Sequence, residues 1–139
     1  MSRASIQSRI NTYESMLASC RNELVELKNK LKDVNEFKTK FNNQYSEFTS
    51  NMGRRKKKTA TVSYMANNIK CAKKYYDKMN NFLNSAHYND IESKISDMAG
   101  NIASVITDTE IKISNVEGKI RSYESTLSSL RSHLASWKD

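Results

Sequence analysis

The sequence predicts an all-α protein, an elongated antiparallel helical hairpin or coiled-coil bundle built from two long helices and one shorter one. Three observations carry that prediction. The 139 residues include no proline and only three glycines, Gly53, Gly100 and Gly118, too little punctuation for a many-stranded sandwich, a barrel or repeated βαβ units. Apolar residues, 37% of the chain, recur at alternating spacings of three and four, as a coiled-coil seam requires. The length matches a single domain, residues 1–139, under the usual size prior.

The first stripe runs Ile6, Ile10, Tyr13, Leu17, Cys20, Leu24, Leu27, Leu31, Val34, Lys38, Phe41, Tyr45, Phe48 and Met52. It predicts a helix over about residues 4–52, roughly 70 Å long at about 1.5 Å per residue. Lys38 is the polar exception, and Phe37 beside it is available for the seam position. At Gly53 the stripe stops. Glycine suits a helix C-terminus, and the run Arg54, Arg55, Lys56, Lys57, Lys58 would stand beside the negative end of the helix dipole. Residues 53–59 are therefore read as a basic turn.

The second stripe, Val62, Met65, Ile69, Ala72, Tyr76, Met79, Leu83 and Ala86, predicts a helix over about 60–86. The third, from Ile95 through Ile102, Ile106, Thr109, Ile113, Val116, Ile120, Tyr123, Leu127, Leu130 and Leu134 to Trp137, predicts a helix over about 91–137. The two are out of phase, so residues 87–90 are read as a turn or kink with Asn89 or Asp90 as N-cap and Glu92 completing a loose capping box. A continuous helix that changes partners there is the alternative. Residues Ile10–Leu24 and Ile120–Leu134 match at 8 of 15 positions in the same register. Seam leucines and exposed Glu, Ser and Arg recur in any heptad sequence, and the match is read in that light.

The chemistry-bearing residues point away from catalysis. Removing the basic run lowers the net charge from +8 to +3. The run reads as a solvated tip or a docking point for a protein; a grip on nucleic-acid phosphates or an anionic membrane is the alternative, disfavoured for nucleic acid by the lack of interleaved aromatic residues. Cys20 and Cys71 are too few for a zinc motif and are read as buried free thiols in a reducing compartment, Cys20 near residue 90 and Cys71 near residue 39. His87 and His133 have no evident catalytic partner, and no phosphate loop or nucleophile motif is present. No cofactor, metal or small-molecule substrate is expected. No membrane span or apolar leader stretch is found, which implies synthesis in the cytoplasm without a cleavable signal.

A first heptad helix from Tyr13 to Phe48, a glycine followed by a basic run (Gly53 to Lys58), and a long Ile/Leu/Ser-rich coil ending in Ile120–Leu130 together resemble the YwqH-like, WXG-type small helical proteins associated with LXG toxins of Gram-positive type VII secretion. The resemblance covers nearly the whole chain. Where members of that group tend to carry Trp-x-Gly, this sequence has Asn51-Met52-Gly53. The resemblance implies a non-enzymatic chaperone or targeting adaptor that binds the N-terminal helical region of a toxin. A second small helical protein could join the complex, and export would be as a passenger. A self-associating coiled-coil homodimer is the alternative. If the third helix outruns its intrachain partner, Ile102, Ile106, Ile113, Val116, Ile120, Tyr123, Leu127, Leu130, Leu134 and Trp137 would form the contact surface.

Overall fold

The computed structural model describes residues 1–63 and 69–138. It is an all-α helical hairpin bundle of two long helices and one short one: α1 (Arg3–Ser63), α2 (Lys70–Leu83) and α3 (Ala86–Ala135). No strand occurs among the described residues. Contacts divide the chain into two compact units, Met1–Asn35 with Val105–Asp139, and Glu36–Ser104.

The first unit pairs the N-terminal part of α1 with the C-terminal part of α3. Ser2 starts α1 as an N-cap, its Oγ accepting the Ser5 N–H at 3.1 Å, which satisfies one of the orphan donors of the first turn. Ile6, Ile10 and Leu17 of α1 then meet Leu127 and Leu130 of α3, with Tyr13, Ile120, Tyr123, Leu134 and Trp137 packed around them. The pairing is antiparallel, because Glu14 contacts Arg131 at 2.7 Å while Arg21 contacts Glu124 at 3.1 Å. The Tyr13 and Tyr123 rings pack edge to face at 5.7 Å, a preferred aromatic geometry.

These contacts relate Ile10–Leu24 and Ile120–Leu134 by an approximate twofold axis. Tyr13 and Tyr123 are equivalent and touch each other, and the equivalent Glu14/Glu124 and Arg21/Arg131 exchange partners. Cys20 therefore lies among the contacts of α1 with the C-terminal part of α3, and not near residue 90 as a turn at Gly53 would place it.

In the second unit the expected boundaries shift. α1 does not end at Met52 but continues through Gly53 and all of Arg54–Lys58 to Ser63. The apolar phase is what carries it: Met52 is buried, and seven residues on Thr59 is buried too, its Oγ1 donating to the Arg55 carbonyl at 2.7 Å. Arginine and lysine are good helix formers, and one glycine costs an α-helix only about 1 kcal/mol. No glycine has positive φ, so Asn51-Met52-Gly53 is a stretch of helix and not a turn. The basic residues are likewise not a tip beside the helix end, since the last turn of α1 contains no basic residue.

α2 begins at Lys70 and ends at Leu83, shorter than the expected 60–86. It lies along the end of α1, with Tyr76, Asn80, Leu83 and Asn84 facing Lys56, Thr59, Ala60 and Ser63. Met65 of the second stripe, and Tyr64, lie outside the described residues. The chain does break before α3, but at Asn84–Ser85 and not at 87–90. The cap is Ser85, whose Oγ accepts the Tyr88 N–H at 3.1 Å, while Asn89 and Asp90 sit inside α3 and Asp90 pairs with Lys94 at 3.0 Å.

Nothing stands within 4 Å of a Cβ added at Gly53. Replacing Gly53 by Ala should therefore raise the unfolding free energy by about 0.5–1 kcal/mol, measured by urea denaturation. A left-handed turn at this position would give a loss instead.

Candidate functional site

The expected contact surface on α3 is covered by the chain itself. Ile102, Ile113, Val116, Leu127 and Leu130 are buried, and Ile106, Ile120, Tyr123, Leu134 and Trp137 are half-buried. This corrects the premise that the third helix outruns its partner. At the C-terminal end of α3 the cover comes from α1, where Ile6, Ile10 and Leu17 pack on Leu127 and Leu130 with Ile120, Tyr123, Leu134 and Trp137 around them. Thr109, the polar member, is buried without penalty because its Oγ1 donates to the Val105 carbonyl at 2.7 Å, a bond made inside its own helix.

In the second unit Ile69, ahead of α2, is exposed, and a row of partly open aromatic side chains lies on α1. Phe37, Phe41, Tyr45 and Phe48 follow one another at spacings of four, four and three, which at about 100° per residue keeps all four within an arc of about 80°. Phe37 is 51% and Tyr45 46% exposed, while Phe41 and Phe48 are half-buried. Phe37 does not take over the seam position from Lys38, since both are exposed. On α3, Met98 in the same unit is also exposed.

At the other end of this aromatic row sits Tyr88, in the first turn of α3 and 4% exposed. Its ring stacks with Phe48 at 6.3 Å and meets Phe82 edge to face at 5.8 Å. Lys56 Nζ lies 5.6 Å from the ring centroid, and the hydroxyl donates to Glu92 Oε1 at 3.0 Å. Tyr88 thus joins α1, α2 and α3 in one cluster. Its position in a presumed turn hid that role. The signal is present in Ser85, directly ahead of Ala86, but Asn89 and Asp90 compete with it as N-cap residues.

Burial raises the Tyr88 phenol above its ordinary value of 10.0, and Glu92 adds to the rise through the hydrogen bond and its charge, against a smaller opposing effect of Lys56. Tyrosine is neutral when protonated, so the low-dielectric site favours the protonated form. Its contribution to stability is complete below the ordinary value and is lost as pH climbs through the higher folded value.

The remaining candidates are dispersed. Arg54 to Lys58 are exposed along α1. Cys20 is buried, but Cys71 is exposed, because its neighbour Ala72 takes the inward position. His87 is exposed at the start of α3, and His133 rests 5.8 Å from the Trp137 ring. Among the described residues no group of three His, Cys, Asp or Glu side chains stands together as a metal site. No helix among them is long and apolar enough to cross a membrane. No family model, curated protein or solved structure matches the chain.

In an alkaline absorbance titration, the difference between the native protein and a Tyr88→Phe variant should show the Tyr88 phenol ionising above its ordinary value of 10.0. Replacing Glu92 by Gln should lower it. A Tyr88 signal at or below the ordinary value would contradict the buried hydrogen-bonded arrangement.

Proposed function

We propose that the protein is a non-enzymatic helical partner, a chaperone or targeting adaptor that binds the N-terminal helical region of an LXG-type toxin for type VII secretion. The observation that supports this reading is the row of aromatic side chains on α1, with Phe37 and Tyr45 about half exposed beside the half-buried Phe41 and Phe48. Large aromatic rings at helical spacing and in water are what an incoming amphipathic helix covers. Completing the burial of Phe37 and Tyr45 would remove about 200 Å² from water, about 5 kcal/mol gross at about 25 cal/mol per Å², before ordering costs. The resemblance of the chain to WXG-type proteins supplies the identity of the partner.

In this mechanism the adaptor keeps its own α1–α3 seam closed and lends the toxin a second, aromatic seam. The toxin's apolar stripe is thereby kept from water and from other copies of itself. A second small helical protein would extend the same bundle.

The test is co-expression with the toxin's N-terminal helical region. The two should co-purify, and the variant Phe37→Ser/Tyr45→Ser should retain its helical circular dichroism while losing at least about tenfold in affinity, since two half-exposed rings supply most of the added contact. Failure of the native pair to co-purify would remove the reading. Undiminished binding by the double variant would remove the assigned surface.

A further inference from the structure

The net positive charge of this protein arises in one stretch. Of its 23 Lys and Arg residues, nine lie between Arg54 and Lys78 with Asp77 as the one acid, and the 14 cations elsewhere meet 14 acids. The whole excess of +8 therefore belongs to the end of α1 and to α2.

The fold turns most of these cations outward on two helices packed side by side. On α1, Arg54, Lys57 and Lys58 stand opposite the inward positions of Met52 and Thr59, and all three are exposed. On α2, Ala72 is buried and Tyr76, Met79 and Leu83 are half-buried, so Lys70, Lys73, Lys74 and Lys78 occupy the exposed face. Lys56, also exposed, reaches toward Tyr88, its Nζ 5.6 Å from the ring centroid.

The arrangement costs the free protein stability. Lys70, Lys74 and Lys78 repel one another at successive spacings of four. The first turn of α2 holds lysine where the helix dipole favours acids, with no acidic residue and no side-chain cap. None of the ion pairs among the described residues uses any of the nine cations. A dense anionic surface would offset all of these repulsions at once.

We propose that this face docks the protein onto an anionic lipid bilayer. A planar array of headgroups matches cations spread over the outer sides of two adjacent helices. A nucleic acid fits less well, because among the described residues this basic face offers no exposed aromatic ring for base stacking. Tyr75 is half-buried beneath Lys58, whose Nζ lies 5.4 Å from its ring, and Tyr88 is buried. The hollow between α1 and α2 contains a single cation, Lys56, so it is no phosphate-gripping cleft. Docking is peripheral: the apolar face of α2 is already spent on α1, which leaves charge as the attractive force and makes binding reversible by salt. This inference stands independently of the toxin-partner reading, because it uses neither the aromatic row nor the α1–α3 seam.

The test is co-sedimentation of the full chain with phosphatidylcholine vesicles containing about 30% phosphatidylglycerol, which carry the negative surface potential that attracts polybasic segments. The protein should bind these vesicles, ignore pure phosphatidylcholine vesicles and come off in about 1 M salt, where screening is nearly complete. The variant carrying Gln at Arg54, Lys57, Lys58, Lys70, Lys74 and Lys78 should lose at least about tenfold in binding, while a variant with Arg at the four α2 lysines should keep it. Circular dichroism of both variants checks that the helices persist, and the salt dependence of the native protein tests the proposal without any substitution. Equal binding to neutral vesicles, no binding by the native protein, or tighter binding to duplex DNA at matched phosphate concentration would overturn it.

Discussion

Glu14 meets Arg131, Arg21 meets Glu124, and beside these pairs the Tyr13 and Tyr123 rings pack edge to face. This reciprocal contact between the start of α1 and the end of α3 is the constraint on which the rest of the structure depends. It sets the antiparallel register, and with it which side chains of each long helix face inward. The ion pairs themselves are about half exposed and add little stability. Their value is in selecting one alignment for the apolar contact that Ile6, Ile10 and Leu17 make with Leu127 and Leu130. The partial repeat between residues 10–24 and 120–134 has a physical meaning in this light. Two nearly equivalent helical faces are mutually complementary, in the way that one face is self-complementary in a twofold dimer.

Closing this seam within the chain decides what is left for other molecules. The α3 stripe from Ile102 to Leu134 is buried or half-buried, while Val105 and Ile111 beside it stay exposed, so a protein partner would use what the seam does not cover. In the second unit that is the aromatic face of α1, where bulky rings at 37, 41, 45 and 48 are only partly enclosed. The same unit carries most of the excess of positive charge, 12 Lys and Arg against six acids, on other faces of its helices. The exposed aromatic rings and the exposed cations are thus different residues, and each set can be altered without touching the other.

Much of this was legible in the sequence. Twelve of the fourteen positions in the first stripe are buried or half-buried, and the exceptions are Lys38 and Tyr45. The helical class and the existence of two long helices and a short one followed from that periodicity. The element boundaries were less legible, for identifiable reasons. Gly53 has the composition of a helix end, but the apolar phase continues through it to Thr59, and phase outweighs a single weak helix former. Ser85 caps α3 and is followed three residues later by the buried Tyr88, whereas Asn89 and Asp90 offered equally good capping chemistry at the wrong place. Cys71 lies one residue from the inward face of α2, a difference of about 100° that periodicity alone does not resolve over a helix this short. The buried state of the α3 stripe was illegible because a periodic face does not record whether its cover comes from the same chain.

That last point admits a direct measurement. A chain with Cys20 and Cys71 replaced by Ser, and with single cysteines in place of Glu14 and Arg131, is treated at low concentration with a short bismaleimide. The account predicts a cross-link within one chain, leaving a species of monomer mass. Because residues 10–24 and 120–134 resemble each other, the competing arrangement pairs them between two chains. A product of twice the mass, or no cross-link at all, would contradict the intrachain seam from which everything above is argued.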